Sequence, residues 1–345
     1  MLIVMDAHAP ESAVTAVCQA IADMGYRAAP LPGPSRTAIG VLGNDRPLDP
    51  GRFSGLPGVR EVLRVSVPYK RVSREWQPHD TEVTLAPGVV IGGALPVVIA
   101  GPCAVETADR LEIAAQVLVD NGVRVMRAGA FKPRTSPYDF QGLGIAGLDL
   151  LADVARRHDL VIVTEAMDAA GADAIAERGF VLQIGARNMQ NFALLHHVGK
   201  LNRPIVLKRG PSATIQEWLL AAEYVLDAGN GNVMLCERGL RGFDTATRNI
   251  MDIAAIALLR QLTHLPVLAD PSHGTGRRDL VTPMACAALA AGAQGLLVEM
   301  HPNPADAWSD GAQSLTPAQL TTLLRRVDAL THAMAGYGKE MQPGT

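Results

Sequence analysis

Residues 96–129 read PVVIAGPCAVETADRLEIAAQVLVDNGVRVMRAG, and this stretch decides the fold. Two short runs rich in β-branched and apolar residues, 96–103 and 123–129, enclose a segment at 107–122 whose apolar residues recur at helical spacing. The order strand, helix, strand in so short a span is a βαβ unit, which joins parallel neighbours. Both runs are almost continuously apolar, as strands become when both faces of a parallel sheet are covered.

The pattern continues outward. LVIVTEA (160–166), FVLQIGA (180–186), PIVLKRG (204–210), NVMLCERG (232–239), PVLAD (266–270) and GLLVEMH (295–301) are further strand candidates. Helical stretches at 214–229 and 247–262 lie between them, and a last one follows at 316–334. Eight strand-like runs alternating with helices predict an α/β protein with a (β/α)8 TIM barrel, in preference to an open doubly wound sheet. No G-x-G-x-x-G follows a strand and no G-x-x-x-x-G-K-[ST] occurs, so nucleotide-binding folds gain nothing. Residues 1–70 read differently. MLIVMD reads as a strand, ESAVTAVCQAIADMG as an amphipathic helix, and YRAAPLPGPSRTAIGVLG as two strands about a Pro/Gly turn. A short helix at 49–56 and a last strand, EVLRVSV (61–67), complete a small split βαβ domain. The expected organisation is therefore 1–70, a small α+β domain; 71–95, a connector with the Gly-rich run APGVVIGGAL; and 96–345, the barrel.

A chain of 345 residues suffices for one large domain and one small one. A net charge of −3 gives no global pull toward nucleic acid or a membrane surface, so any anion site must be a local cluster of Arg and Lys. Cys18, Cys103, Cys236 and Cys286 are too scattered for a zinc knuckle and too few for a disulfide scaffold. MLIVMDAHAP lacks a basic leader, and no apolar run approaches the roughly 20 residues needed to cross a bilayer. A cytoplasmic protein is expected.

Six polar or glycine-rich phrases directly follow apolar runs: GPCAVE, RAGAFKPRTSPY, IGARNMQN, LKRG, ERGLRGFDT and ADPSHGTG. In a barrel, everything just after a strand converges on one face, where chemistry is done. That face would receive Cys103, His273, Glu299 and, from the loop after the last strand, Asp310. A thiolate, an imidazole and two carboxylates suit Mn²⁺, Fe²⁺, Co²⁺ or Zn²⁺ better than Mg²⁺ or Ca²⁺. Cys103 also reads as a small buried hydrophobe, and His301, two residues past Glu299 and sharing its pleat direction, is an alternative ligand. Cys18, Cys236 and Cys286 sit in apolar patterns and read as core. The same face would receive Arg127, Lys132, Arg134, Arg187, Lys208 and Arg238. A charge that ends a buried strand, as in IVLKR, is poorly explained as solvated surface; Arg156, Arg157, Arg277 and Arg278 are well explained that way. Six cations beside a metal fit a substrate with several negative charges, such as a phosphorylated acid. Thr135 and Ser136 add hydroxyls to the KPRTSPY loop, which can hold phosphate through side chains and backbone N–H groups together. SHGTG supplies small residues beside His273, so that a ligand can approach the backbone.

With these phrases in view, the chain resembles the 3-deoxy-D-arabino-heptulosonate-7-phosphate (DAHP) synthases of the type I-beta kind, over about residues 96–335 and with the motifs in order. Residues 1–70, through RTAIGVLG, are similar to the ferredoxin-like regulatory domain that some members carry in front of the barrel. The resemblance implies a transferase that condenses phosphoenolpyruvate with erythrose 4-phosphate and water, releasing phosphate, at the first step of the shikimate pathway to the aromatic amino acids. It implies Cys103, His273, Glu299 and Asp310 as ligands of a divalent metal. Arg127, Lys132, Arg187, Lys208 and Arg238, with the backbone at Ala186, would grip phosphoenolpyruvate. Arg134, Thr135 and Ser136 would meet the aldose phosphate. Lys132 would protonate the developing alkoxide, and water near Glu165 or the metal would be the nucleophile. It also implies a homotetramer or dimer, a tyrosine or phenylalanine effector, and no nucleic-acid or membrane partner. The sister 3-deoxy-D-manno-octulosonate-8-phosphate synthases take arabinose 5-phosphate and typically carry Asn between the Lys and Arg of this loop. Here the loop reads Lys132-Pro133-Arg134, which favours the four-carbon aldose. A non-catalytic regulatory relative would show loss of a metal ligand or of Lys132, and neither is lost.

Overall fold

The computed structural model describes residues 1–32, 36–44, 48–65 and 67–340, with side chains to residue 334. The chain divides into two compact units, Met1–Pro78 and His79–Thr345.

In the first unit the order is β1 (Leu2–Met5), α1 (Glu11–Asp23), β2 (Arg27–Pro32), β3 (Thr37–Leu42), α2 (Gly51–Ser54) and β4 (Val59–Leu63). β1 lies between β3 and β4, and the antiparallel sheet runs β2-β3-β1-β4, the ferredoxin-like arrangement. α1 buries Ala13, Val17 and Ile21, a stripe at i, i+4 and i+8. That stripe shares one core with Ile3, Met5, Ile39, Val41 and Phe53. Trp76 packs with Leu2, Ala29 and Leu42 in a separate cluster. Gly40 is required there, since a Cβ would stand 1.6 Å from the indole. The Pro/Gly turn between β2 and β3 falls at 33–35, outside the described residues. The last strand starts two residues earlier than the pattern predicts and ends at Leu63; Ser66, within the predicted run, also lies outside them.

The second unit opens with a hairpin, β5 (Val83–Ala86) and β6 (Val89–Ile91), inside the stretch expected to be connector. Its Val83, Val89 and Ile91 join Ile99, Val125, Val206, Leu268 and Leu297 in the barrel interior. Each such side chain contributes about 1.5–3 kcal/mol by leaving water, so the hairpin is a plug and not a tether. Arg124 Nη1 donates to Pro87 O, and Thr81 N donates to His264 O, which places the plug at the N-terminal ends of the barrel strands.

The barrel strands are β7 (Val97–Gly101), β8 (Val125–Arg127), β9 (Val161–Ala166), β10 (Val181–Ile184), β11 (Ile205–Lys208), β12 (Val233–Glu237), β13 (Val267–Ala269) and β14 (Gly295–Glu299). All pairs are parallel, and β14 closes on β7 through five residue pairs from Gly295↔Val97 to Glu299↔Gly101. The helices are α3 (Ala108–Asp120), α4 (Ile145–His158), α5 (Ala169–Glu177), α6 (Phe192–Val198), α7 (Ile215–Asp227), α8 (Ile253–Leu262), α9 (Pro271–Thr275), α10 (Arg278–Ala290) and α11 (Pro317–Glu340). Thr107, Asp168, Asn191, Thr214, Asp252 and Asp270 cap α3 and α5–α9 by accepting from the first helical turn. The Asp252 cap corrects the predicted helix at 247–262. The helix begins at Ile253, so Arg248 lies in a loop. Cys236 is barrel core, as its pattern implied, and all four cysteines are free thiols.

Candidate active site

The C-terminal ends of β7, β13 and β14 bring Cys103, His273 and Glu299 together, and the loop after β14 adds Asp310. One donor atom of each lies within 4.8 Å of every other. Metal–ligand bonds of about 2.0–2.3 Å fit inside such a group, and its N, O and S donors match a borderline divalent ion. Cys103 Sγ donates to Asp310 Oδ2 at 3.0 Å, and His273 Nε2 stands 3.4 Å from Glu299 Oε1. The lateral partners hold each donor in place. Asp270 Oδ2 meets His273 Nδ1 at 2.8 Å, which leaves Nε2 to face the group. Glu299 is met by Arg127 Nη1 at 3.0 Å and Gln313 Nε2 at 2.7 Å. Arg248 donates to Asp310 Oδ1 at 2.9 Å.

Charge is concentrated here in a nearly dry setting. Burial pushes the Cys103 thiol up to about 12, with Glu299 adding to the rise and Lys132 and Arg127 opposing it. Burial also works against an ionised Asp270, but His273 and Lys208 overcome it and hold that carboxyl well below the usual range. Glu299 is likewise lowered, by His273 and Arg127 against its burial.

Beside the group is a cavity of about 270 Å³, lined by Lys132, Pro133, Arg134, Thr135, Asp139, Glu165, Gly185, Ala186, Arg187, Lys208, Arg238, Arg248, His273 and Asp310. Lys208 Nζ pairs with Asp270 at 2.6 Å. Arg134 is steadied by the carbonyls of Phe140 and Trp308, at 2.9 and 3.4 Å. Among the described residues, the side chains of Arg187 and Arg238 make no hydrogen bond or ion pair. Burial lowers the Arg238 guanidinium, Asp270 opposes this, and Arg248 adds to it. Glu165 accepts from Gln183 Nε2 at 3.2 Å, and its carboxylate rests against Gly185, where a Cβ would stand 1.8 Å from Glu165 Oε1 and push it aside.

Most residues singled out from the sequence therefore meet in one place. Outside the donor group, two of them stand apart from the cavity lining. Arg127 is buried beneath it, engaged by Glu299 and the Pro102 carbonyl, and Ser136 Oγ accepts from Tyr138 N and so shapes its own loop. His301 is not in the donor group; it turns toward Glu106. Arg277 pairs with Asp279 at the surface, whereas Arg278 is half-buried and donates to Gly311 O at 2.6 Å. Asp139, Arg248, Asp270 and Gln313 belong to the site without having been singled out. Asp270 was within the ADPSHGTG phrase, and its N-cap position three residues before His273 was the available signal.

The fold and site define a (β/α)8-barrel enzyme with a four-donor metal-ligand group beside a cationic cavity. A family model described as the DAHP synthetase I family matches residues 76–335, and one described as the DAHP synthase ferredoxin-like domain matches residues 1–67. The chain belongs to the DAHP synthetase I family. It is 48% identical over 302 residues to a phospho-2-dehydro-3-deoxyheptonate aldolase of Thermotoga maritima, covering 88% of this chain and 89% of the relative. It is 31% identical to a 2-dehydro-3-deoxyphosphooctonate aldolase of Acidithiobacillus ferrooxidans, covering 68% of this chain and 89% of that one. The crystal structure of the phospho-2-dehydro-3-deoxyheptonate aldolase (DAHP synthase) of Thermotoga maritima superposes with a TM-score of 0.77 at 44% identity, covering 96% of this chain and 97% of the other. No helix among the described residues is long and apolar enough to cross a membrane.

Proposed function

We propose that this chain condenses phosphoenolpyruvate with erythrose 4-phosphate and water to give 3-deoxy-D-arabino-heptulosonate 7-phosphate and phosphate. The observation that carries this reading is the pair Arg187 and Arg238. Two guanidinium groups facing one cavity with no hydrogen bond or ion pair among the described residues, beside Lys208 and a four-donor group, call for a ligand that brings its own negative charges. The carboxylate and phosphate of phosphoenolpyruvate supply them. Arg134 and Thr135, at the KPRTSPY end of the cavity, take the phosphate of the aldose.

Cys103, His273, Glu299 and Asp310 would hold a divalent metal of the Mn²⁺, Fe²⁺, Co²⁺ or Zn²⁺ kind, which when bound supplies Lewis acidity toward a carbonyl oxygen. The protein's own share is positional and protonic. The cations orient the enol so that its carbon 3 meets the aldehyde carbon, forming the C–C bond. Lys132 is held protonated, since Cys103 and the carboxylates raise it against burial and Arg127, and it donates a proton to the new alkoxide oxygen. Water adds at carbon 2 and gives its proton to Glu165, which lines the cavity, and phosphate leaves by C–O cleavage. By the same reading residues 1–70 form a regulatory domain answering to tyrosine or phenylalanine, and the enzyme is a cytoplasmic homo-oligomer, a tetramer or dimer; family membership is the support for both.

The test is phosphate release from phosphoenolpyruvate after EDTA treatment and after Mn²⁺ is restored, with erythrose 4-phosphate and arabinose 5-phosphate as alternative aldoses. Metal-dependent release with the four-carbon aldose is the expected result. Preference for arabinose 5-phosphate assigns the chain to the octulosonate reaction instead, and silence with both removes the catalytic reading.

A further inference from the structure

Glu106 ends the GPCAVE phrase and stands outside the four-donor group. Its carboxylate is nonetheless almost completely buried, with 2% side-chain exposure. Three donors reach it: Arg110 Nη1 at 2.5 Å, the backbone N–H of Trp308 at 2.7 Å and His301 Nε2 at 3.2 Å. Asn303 N donates to His301 Nδ1, so the ring hydrogen is on Nε2, directed at Glu106. A buried carboxylate is costly unless its oxygens are filled, and here they are filled largely by one loop, the segment after β14. Arg110 grips the same loop again through the Asp306 carbonyl at 2.9 Å.

Trp308, at the centre of that grip, borders both halves of the site. Two residues on, Asp310 has φ +55°, a left-handed conformation that Asp adopts more readily than most non-glycine residues and that turns its carboxylate within the loop. Between them Ser309 Oγ lies 3.1 Å from Asp310 Oδ2 and 3.5 Å from Cys103 Sγ. On the other side, the Trp308 carbonyl accepts from Arg134. Its ring meets Phe140 edge-on with centroids 5.0 Å apart, and the Phe140 carbonyl accepts from Arg134 as well.

We infer that Glu106 is a positioning residue: by anchoring Trp308 it fixes Asp310 in the donor group and Arg134 at the cavity, so that metal affinity and capture of the aldose phosphate depend on one buried carboxylate. This rests on the functional reading above, and the experiment separates the two. The full-length chain, stripped with EDTA, is titrated with Mn²⁺ against a chromogenic chelator, and KM is measured for each substrate with metal saturating. Glu106→Ala raises the Mn²⁺ Kd about tenfold or more and raises KM for erythrose 4-phosphate by a similar factor. KM for phosphoenolpyruvate stays within twofold, because Arg187, Lys208 and Arg238 end or follow other strands, β10, β11 and β12. Arg110→Met shows the same pattern to a smaller degree and decides the matter if the alanine variant does not fold. Glu106→Gln, which keeps an acceptor for the Trp308 N–H, recovers most of the metal affinity. Variants with unchanged Mn²⁺ Kd and unchanged aldose KM overturn the inference, as does a rise in phosphoenolpyruvate KM in step with the others, which marks general loosening. A wild-type chain that binds no Mn²⁺ overturns the functional reading and this inference with it. Metal-dependent wild-type turnover with unresponsive variants overturns this inference alone.

Discussion

Lys132 Nζ donates to Cys103 Sγ at 2.9 Å and to the Cys103 carbonyl at 3.1 Å. A single ammonium thus binds two atoms of one residue, and its place relative to the donor group is set from the next strand's loop. Because it is raised and protonated, its acid form faces the group. Lys132→Met keeps the chain length of the stem and removes the proton. It is expected to lower kcat by about 10²–10⁴, the usual span for a positioned acid. Single-turnover phosphate release checks this, and undiminished turnover removes the acid role from Lys132.

Arg187 and Arg238 face the cavity with no hydrogen bond or ion pair among the described residues, so replacing either strands no paired carboxylate. Arg187→Leu and Arg238→Leu are therefore expected to be neutral or mildly stabilising in the ligand-free protein. Each is expected to raise KM for phosphoenolpyruvate about 10–100-fold, the value of a charged hydrogen bond. Thermal melts and steady-state kinetics give both numbers; a large drop in Tm contradicts the partnerless geometry.

Gly185→Ala places a methyl 1.8 Å from Glu165 Oε1, and the carboxylate end is what must move. The expected cost in stability is small, because the atoms met are the free end of a flexible side chain and not backbone or packed core. Displacement of Glu165 is expected to lower kcat more than it alters either KM. Equal kcat in variant and wild type at saturating substrate removes Glu165 from the reaction.

Glu237 is fully buried against Arg209 at 3.1 Å and accepts from the N–H of Gly239 at 2.7 Å. Burial raises its carboxyl above 4.5 even though Arg209 and the backbone N–H groups pull it down. A carboxyl raised in the fold keeps its proton to higher pH than it does in the unfolded chain, so its protonation favours folding and stability falls as pH rises from about 4.5 through the folded value. Glu237→Gln removes this slope. The difference in Tm, variant minus wild type, is expected to become more positive as pH rises from 4 to 7. A difference that becomes more negative means that the ionised pair with Arg209 dominates.

Deleting residues 1–70 is expected to abolish inhibition by tyrosine or phenylalanine while leaving the barrel active, since the plugging hairpin belongs to the second unit. Inhibition that survives for both amino acids removes the regulatory assignment.

The sequence by itself determined the barrel, because eight apolar runs buried on both faces admit few arrangements once helices separate them. It also marked Lys208 and Arg238, charges that end buried strands where solvated surface accounts for them poorly, and Cys103, His273 and Glu299, which the barrel gathers on one face. What strand periodicity could not supply was direction within the loops. The side chain of His301 shares a pleat direction with Glu299 on paper, yet it turns to Glu106 because the chain has left the strand by then. Arg127 ends a strand as Lys208 does, but its guanidinium is engaged beneath the cavity by Glu299, a partner far away in sequence. Arg248 and Gln313 come from long loops with no periodic signal, and only the closed barrel brings them to Asp310 and Glu299. The tertiary structure decided these pairings because hydrogen-bond partners of buried charges are chosen by distance in space, and the ring of strands brings residues some two hundred positions apart within 3 Å.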